Sequence, residues 1–245
     1  MRILEGHGVT KHFGGLAAVC RVDLNVDQGQ VVGLIGPNGA GKTTLFNLIS
    51  GALVPDSGEI RFKGRKITGA KPHQICRLGV ARTFQSVKVF TSMPVFENVL
   101  LGALFGKSPG MSSADAAKEA TESLEFVGLS GMRATPAKDL TLANQKRLEV
   151  ARALATKPEV LLLDELMAGL THTEVAQAME MVNRIRDKGT TIFMIEHVMK
   201  AIMNVCDRII VLHHGEKIAE GTPQEIATSK TVVEVYLGES AHAAG

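Results

Sequence analysis

Up to about Thr83 the apolar positions recur in short alternating runs: Ile3 and Val9, then Val19, Val22, Leu24 and Val26, then Ile60, Phe62 and Ile67. That period places successive side chains on opposite faces and predicts strands. Turn-forming residues cluster between them at Asp27-Gln28-Gly29-Gln30 and Pro55-Asp56-Ser57-Gly58. The period then changes. Ala116, Ala120, Leu124 and Val127 stand at helical spacing, with Ser112 or Ser113 as N-cap and Gly128 as terminator. From Pro158 onward strands return at 160–163, 191–195 and 209–212, interleaved with helical runs at 175–186 and 198–205. Alternating strands and helices predict an α/β fold with a mostly parallel sheet. The helical stretch interrupts it, so the expected plan is one domain of 1–245: a core of 1–85 and 156–245 and an inserted helical unit of 86–155. No internal repeat, heptad run or low-complexity tract is present.

One strand carries a specific signal. The continuous apolar run Val31, Val32, Gly33, Leu34, Ile35 leads into Gly36-Pro37-Asn38-Gly39-Ala40-Gly41-Lys42-Thr43-Thr44, which fits G-x-x-x-x-G-K-[ST]. Leu45, Leu48, Ile49 and Ala52 then follow at i, i+3, i+4 and i+7, the apolar face of a helix. A glycine-rich turn from strand to helix points successive backbone N–H groups into one concavity, a cradle for phosphate. Lys42 would reach the β- and γ-phosphates, and the Thr43 hydroxyl would join a Mg²⁺ shell. The expected ligand is a nucleotide with Mg²⁺.

A second apolar strand, Val160-Leu161-Leu162-Leu163, ends in Asp164-Glu165. Parallel α/β sheets place ligands beyond the carboxyl ends of their strands. There Asp164 would hold Mg²⁺, and Glu165 would orient or deprotonate the water that attacks the γ-phosphoryl group. His197 follows the 191–195 strand at the same edge, within reach of that phosphate. Gln85, after Arg82-Thr83-Phe84, stands at the junction of core and helical insert. Its amide would sense both Mg²⁺ and the attacking water while moving with the insert.

Composition narrows the picture without redirecting it. A chain of 245 residues is long enough for one substantial core and a smaller appended unit. Its net charge of +2, with both signs mixed along the chain, provides no field for nucleic acid. The apolar runs are strand length, far short of the ~18 residues of a spanning helix, so the chain reads as soluble. Met1-Arg2-Ile3-Leu4-Glu5 lacks the apolar core of a signal peptide, which argues against export. Cys20, Cys76 and Cys206 are far apart and suit reduced thiols in a cytoplasm.

With Phe13, the phosphate loop, Gln85, the segment Leu140-Thr141-Leu142-Ala143-Asn144-Gln145, the Asp164-Glu165 pair and His197 in that order, the whole chain resembles the ATP-binding subunits of ABC transporters. The resemblance implies a P-loop NTPase (RecA-like) core with an N-terminal antiparallel β portion and an inserted α-helical subdomain. It also implies that Phe13 stacks on adenine and that Thr141 belongs to a segment that meets nucleotide. Finer features are similar to the branched-chain amino-acid uptake group: Phe13-Gly14-Gly15-Leu16-Ala17-Ala18-Val19, Arg82-Thr83-Phe84-Gln85 with Phe90, Met93, Val95, Glu97 and Asn98, and the closing Val235-Tyr236-Leu237-Gly238-Glu239. Lipopolysaccharide-export and urea-uptake ATPases share part of this set. Non-transport ATPases of the superfamily usually carry two cassettes or a long coiled-coil insertion, and this chain has neither.

The family pattern is broken in places. Leu-Ser-Gly-Gly-Gln is here Leu140-Thr141-Leu142-Ala143-Asn144, the proline after the catalytic acid is Leu166, and the aspartate beyond Ala168-Gly169-Leu170 is Thr171, followed by His172. In the family this signature closes on ATP held by a second subunit, so the bulkier Leu142 and Ala143 imply an altered approach to a partner's γ-phosphate. The implied partners are transmembrane permease subunits, a second ATP-binding subunit in a heterodimer, and an extracytoplasmic substrate-binding protein, at the cytoplasmic face of the membrane. Val87, Val89, Phe90 and Phe96 are candidates either for permease contact or for burial within the insert.

Overall fold

The computed structural model describes residues 1–106 and 110–242, with side chains as far as Tyr236; Leu237, Gly238 and Glu239 of the closing segment have side chains outside that description. In chain order the elements begin β1 (Arg2–Phe13), β2 (Leu16–Asp27), β3 (Val31–Ile35), α1 (Lys42–Ile49), β4 (Ser57–Phe62), β5 (Arg65–Lys66), α2 (Pro72–Leu78) and β6 (Val80–Arg82). Then come α3 (Val95–Phe105), α4 (Ser113–Val127), α5 (Leu142–Leu154), β7 (Val160–Asp164), α6 (His172–Asp187), β8 (Thr191–Ile195), α7 (Met199–Val205), β9 (Arg208–His213), β10 (Glu216–Gly221), α8 (Pro223–Thr228) and α9 (Lys230–His242).

The strands form two sheets. β2-β1-β4-β5 is antiparallel throughout, and β10-β9-β3-β8-β7-β6 is parallel except for its edge strand β10. β3 is buried at all five positions because both faces of the second sheet are covered. Val32 and Leu34 pack with α1 and the antiparallel sheet, whereas Val31 and Ile35 pack into the cluster that holds α3 to α7. β3 lies between β8 and β9; the chain next returns to this sheet at β6 on one side of β3, whereas from β9 it runs on to β10 on the other. Such a switch point opens a crevice at the strands' carboxyl ends.

Local signals explain most boundaries, and some differ from the periodicity. Ser112 caps α4 by accepting the Asp115 N–H, and Gly128 ends it in the left-handed region. α1 stops at Ile49, so Ala52 lies past the helix and is exposed, not on its apolar face. Gly51, at φ +74, turns the chain there; a Cβ on it would sit 2.4 Å from the Ala70 carbonyl oxygen. β4 begins inside the second turn signal, at Ser57, because Thr10 pairs with it. α2 buries only Ile75 and therefore presents no apolar stripe in the sequence. β10 buries none of its side chains and exists through its pairing with β9.

α3, α4 and α5 share Val95, Val99, Ala103, Ala116, Ala120, Leu124, Leu148 and Ala151 in one buried cluster with the sheet's outer face. α4 is also tied to α6. Arg184 and Lys188 place their cationic groups 4.5 and 4.3 Å from the Phe126 ring centre, and Arg184 donates to the Phe126 carbonyl at 3.1 Å. Cys20, Cys76 and Cys206 are free thiols, and burial pushes that of Cys206 up to about 12.

Candidate functional site

The loop after β3 is held by close backbone packing. A Cβ on Gly36 would lie 2.1 Å from the Leu212 carbonyl oxygen, and one on Gly41, at φ +100, would lie 2.2 Å from that of Ala18. Only glycine fits either place, so the loop is wedged between β9 and β2. Pro37 and Ala40 are buried and Asn38 and Gly39 exposed, so the loop presents one side to solvent. Gly41 is the N-cap of α1 and has no side chain to offer, which leaves the first N–H groups of the helix facing outward for an anion. Buried Lys42 folds over the loop, donating from Nζ to the carbonyls of Gly36 at 2.6 Å and Pro37 at 2.7 Å. Thr43 is exposed and Thr44 half-buried in the same turn.

Asp164 ends β7, beside Arg82 at the end of β6. Arg82 donates to Asp164 Oδ2 at 2.8 Å, and its other amino group donates to Asn47 Oδ1 at 2.6 Å and Ser50 Oγ at 3.0 Å. Burial pushes the Asp164 carboxyl above its ordinary range, with the Arg82 guanidinium pulling the other way. Its Oδ1 is buried with no hydrogen-bond partner among the described residues.

Glu165 brings the predicted residues together. Its Oε1 lies 2.7 Å from His197 Nε2, and its Oε2 accepts from Gln85 Nε2 at 3.0 Å. The residue sits at φ +51, a conformation that costs a non-glycine about 1–3 kcal/mol and is tolerated where surroundings over-determine it. Those surroundings are visible. The Glu165 N–H donates to Ile195 O at 2.9 Å, and its carbonyl accepts from Lys146 Nζ at 2.7 Å. Two residues on, the Met167 N–H donates to Glu196 Oε1 at 2.7 Å. Glu196 is 1% exposed, and burial lifts its carboxyl to about 7. Sequence reasoning assigned no role to Lys146 or Glu196 and read Arg82 only as part of a motif. A charged residue ending an otherwise apolar strand was the available sign for Glu196.

Phe13 and Thr141 stand apart from this cluster. Phe13 ends β1 at the hairpin tip, 49% exposed, with Lys11 Nζ 5.9 Å from its ring centre. Its hairpin touches the phosphate loop through Ala18. Thr141 is the N-cap of α5 and accepts the Asn144 N–H at 3.3 Å. Among the described residues no hydrogen bond joins it to 36–44, and Leu142 beside it is 46% exposed.

A groove of about 760 Å³ runs between the sheet edge and the helical layer, its apolar lining including Phe84, Phe90, Leu101 and Phe105. Buried Asn98 fixes the approach to it, accepting the Phe90 N–H and donating to the carbonyls of Phe90, Met93 and Pro94. Phe90 is exposed here, whereas Val89 and Phe96 pack against the core and Val87 is half-buried.

The sequence matches the family model described as ABC transporter over residues 19–168 and that described as branched-chain amino acid ATP-binding cassette transporter over residues 216–242. It is 41% identical to the high-affinity branched-chain amino acid transport ATP-binding protein BraF of Pseudomonas aeruginosa, over 97% of this chain and 98% of that protein. It is 40% identical to the corresponding LivG of Escherichia coli, with the same coverage. The fold is similar to the ADP conformation of an ATP-binding cassette of an ABC transporter, at a TM-score of 0.87 and 32% identity over 97% of this chain and 99% of that one. A dimeric bacterial ABC transporter cassette is similar at a TM-score of 0.82 and 26% identity, covering 90% of this chain and 99% of that one.

Proposed function

The chain belongs to the ABC transporter family of ATP-binding proteins, and from that premise we propose that it is the ATP-hydrolysing motor of an importer of branched-chain amino acids. The observation that carries the reading is the Glu165 carboxylate, clasped by His197 and Gln85 at the strand end and placed in the same sheet as the phosphate loop. ATP is taken up with its phosphates on the 36–44 backbone, Lys42 against the β- and γ-phosphates, and adenine on the exposed Phe13 ring. Thr43, Asp164 and Gln85 offer a hydroxyl, a carboxylate with one unpartnered oxygen and an amide. That donor set fits Mg²⁺, which keeps waters and phosphate oxygens as its other ligands and, when bound, neutralises phosphate charge. Glu165 accepts a proton as water oxygen attacks the γ-phosphorus and the bond to the departing ADP oxygen breaks; His197 holds the carboxylate and faces the same phosphate.

The working division is a nucleotide-binding core of 1–85 and 156–245 and a helical insert of 86–155. Among the described residues no helix is long and apolar enough to cross a membrane. The similarity to transporter ATP-binding proteins supports a peripheral place at the cytoplasmic face, against the permeases. Its partners are permease subunits, seated on the Phe84-Phe90-Phe105 groove, and through them an extracytoplasmic substrate-binding protein. Purification of the tagged chain from detergent-solubilised membranes is expected to recover integral membrane permeases. Recovery of ribosomes or DNA alone would place it among the non-transport ATPases instead.

The altered signature bears on the second ATPase. Thr141, Leu142 and Ala143 open α5 on the side that faces a partner's ATP in the family's dimers, so the nucleotide held by Lys42 meets the partner's signature instead. The reading is a heterodimer in which the site of Lys42 and Glu165 turns over at least as fast as the other. Loss of close N–H donors to a γ-phosphate costs about 1–3 kcal/mol at the affected site, enough for a clear rate difference. Disabling each catalytic glutamate separately in the reconstituted transporter measures this. Equal residual rates, or a functional homodimer of this chain, reject the asymmetry.

A further inference from the structure

We propose that Lys146 is a positioning residue for the Glu165 carboxylate, so that the helix opened by Thr141 sets the posture of the same chain's catalytic acid. The inference rests on the assignment of Glu165 as the base. Lys146 lies one turn into α5, is 6% exposed, and spends its Nζ on the Glu165 main-chain carbonyl at 2.7 Å rather than on a carboxylate. That carbonyl belongs to a residue at φ +51, whose backbone would relax toward the ordinary right-handed or extended regions if released. Rotation about those dihedrals swings the side chain away from His197 and Gln85. Glu196 secures the other end of the turn through the Met167 N–H. The catalytic turn is thus pinned from the core by Glu196 and from the helical layer by Lys146.

A consequence for the dimer follows. In the dimer proposed above the N-terminus of α5 would meet the nucleotide of the partner subunit, whereas Lys146, five residues after Thr141 on the same helix, holds the acid of its own site. Any rigid shift of α5 on meeting a partner's ATP therefore reaches Glu165 directly.

The test is steady-state ATP hydrolysis by the full-length chain, alone and in the assembled transporter, with nucleotide affinity measured in parallel. Lys146→Met is expected to lower kcat about 10–100-fold, the scale of a roughly 1 Å misplacement of a catalytic group, with KM and nucleotide affinity unchanged. Lys146→Arg, which restores a charged donor, recovers most of that loss. Lys146→Gln, a neutral donor, is carried alongside, and if the Met variant does not fold, the Gln variant must show the same split. A kcat at the unchanged level, or parallel loss of affinity and turnover, overturns the inference, as does an Arg variant as slow as the Met one. Glu165→Gln in the same assay separates the two claims: if it turns over normally the base assignment itself fails, and if it is inert while Lys146→Met is normal only the positioning role fails.

Discussion

Glu165→Gln is expected to bind Mg-ATP as tightly as the unchanged protein and to hydrolyse it about 10²–10⁴-fold more slowly, the range removed with a general base. Affinity survives on the proposed reading, in which the γ-phosphate is held elsewhere, by the loop N–H groups and by Lys42. Geometry survives as well. A glutamine carbonyl accepts from Gln85 as Oε2 does now, and its amide donates to the other tautomer of His197, so both neighbours at 3.0 and 2.7 Å keep a partner. What disappears is proton affinity at the attacking water. Equilibrium nucleotide binding beside single-turnover hydrolysis checks the split, and near-normal turnover would remove Glu165 from the chemistry.

Lys42→Ala divides the other way, with binding lost first. A charge-assisted hydrogen bond contributes about 1.5–3 kcal/mol, which corresponds to roughly 10–100-fold in affinity. The substitution acts twice. It removes the cation proposed to meet the phosphates, and it strips the donor from the carbonyls of Gly36 and Pro37 in the wall of the cradle. Titration with a fluorescent ATP analogue is expected to show weakened binding at every Mg²⁺ concentration. An affinity equal to that of the unchanged chain would mean that backbone N–H groups alone hold the phosphates.

These two substitutions sit at places of very different legibility. Lys42 is visible in the sequence because its job is local: a loop of fixed length, glycines at set positions and a helix start lie within nine consecutive residues. Asp164-Glu165 and His197 are visible for a related reason, since each ends an apolar strand and strand ends in a parallel sheet face the ligand. α2 and β10 were invisible because neither buries an apolar stripe, and period is the primary signal a single sequence offers for an element.

By itself the sequence determined the α/β plan, and it carried the phosphate-loop motif, the change to helical period and the acid pair and histidine past strand ends, all encoded in neighbours or short periods. Only the tertiary structure decided that Gln85 and His197 clasp the same carboxylate, that Arg82 takes one oxygen of Asp164, and that Lys146 and Glu196 pin a strained turn. Each of those contacts joins residues 19 or more positions apart. They arise because β6, β7 and β8 pair in parallel beside β3, bringing their carboxyl ends to one edge beside the loop. Strand order is set by the packing of both sheet faces, a property of the whole core that no local pattern carries.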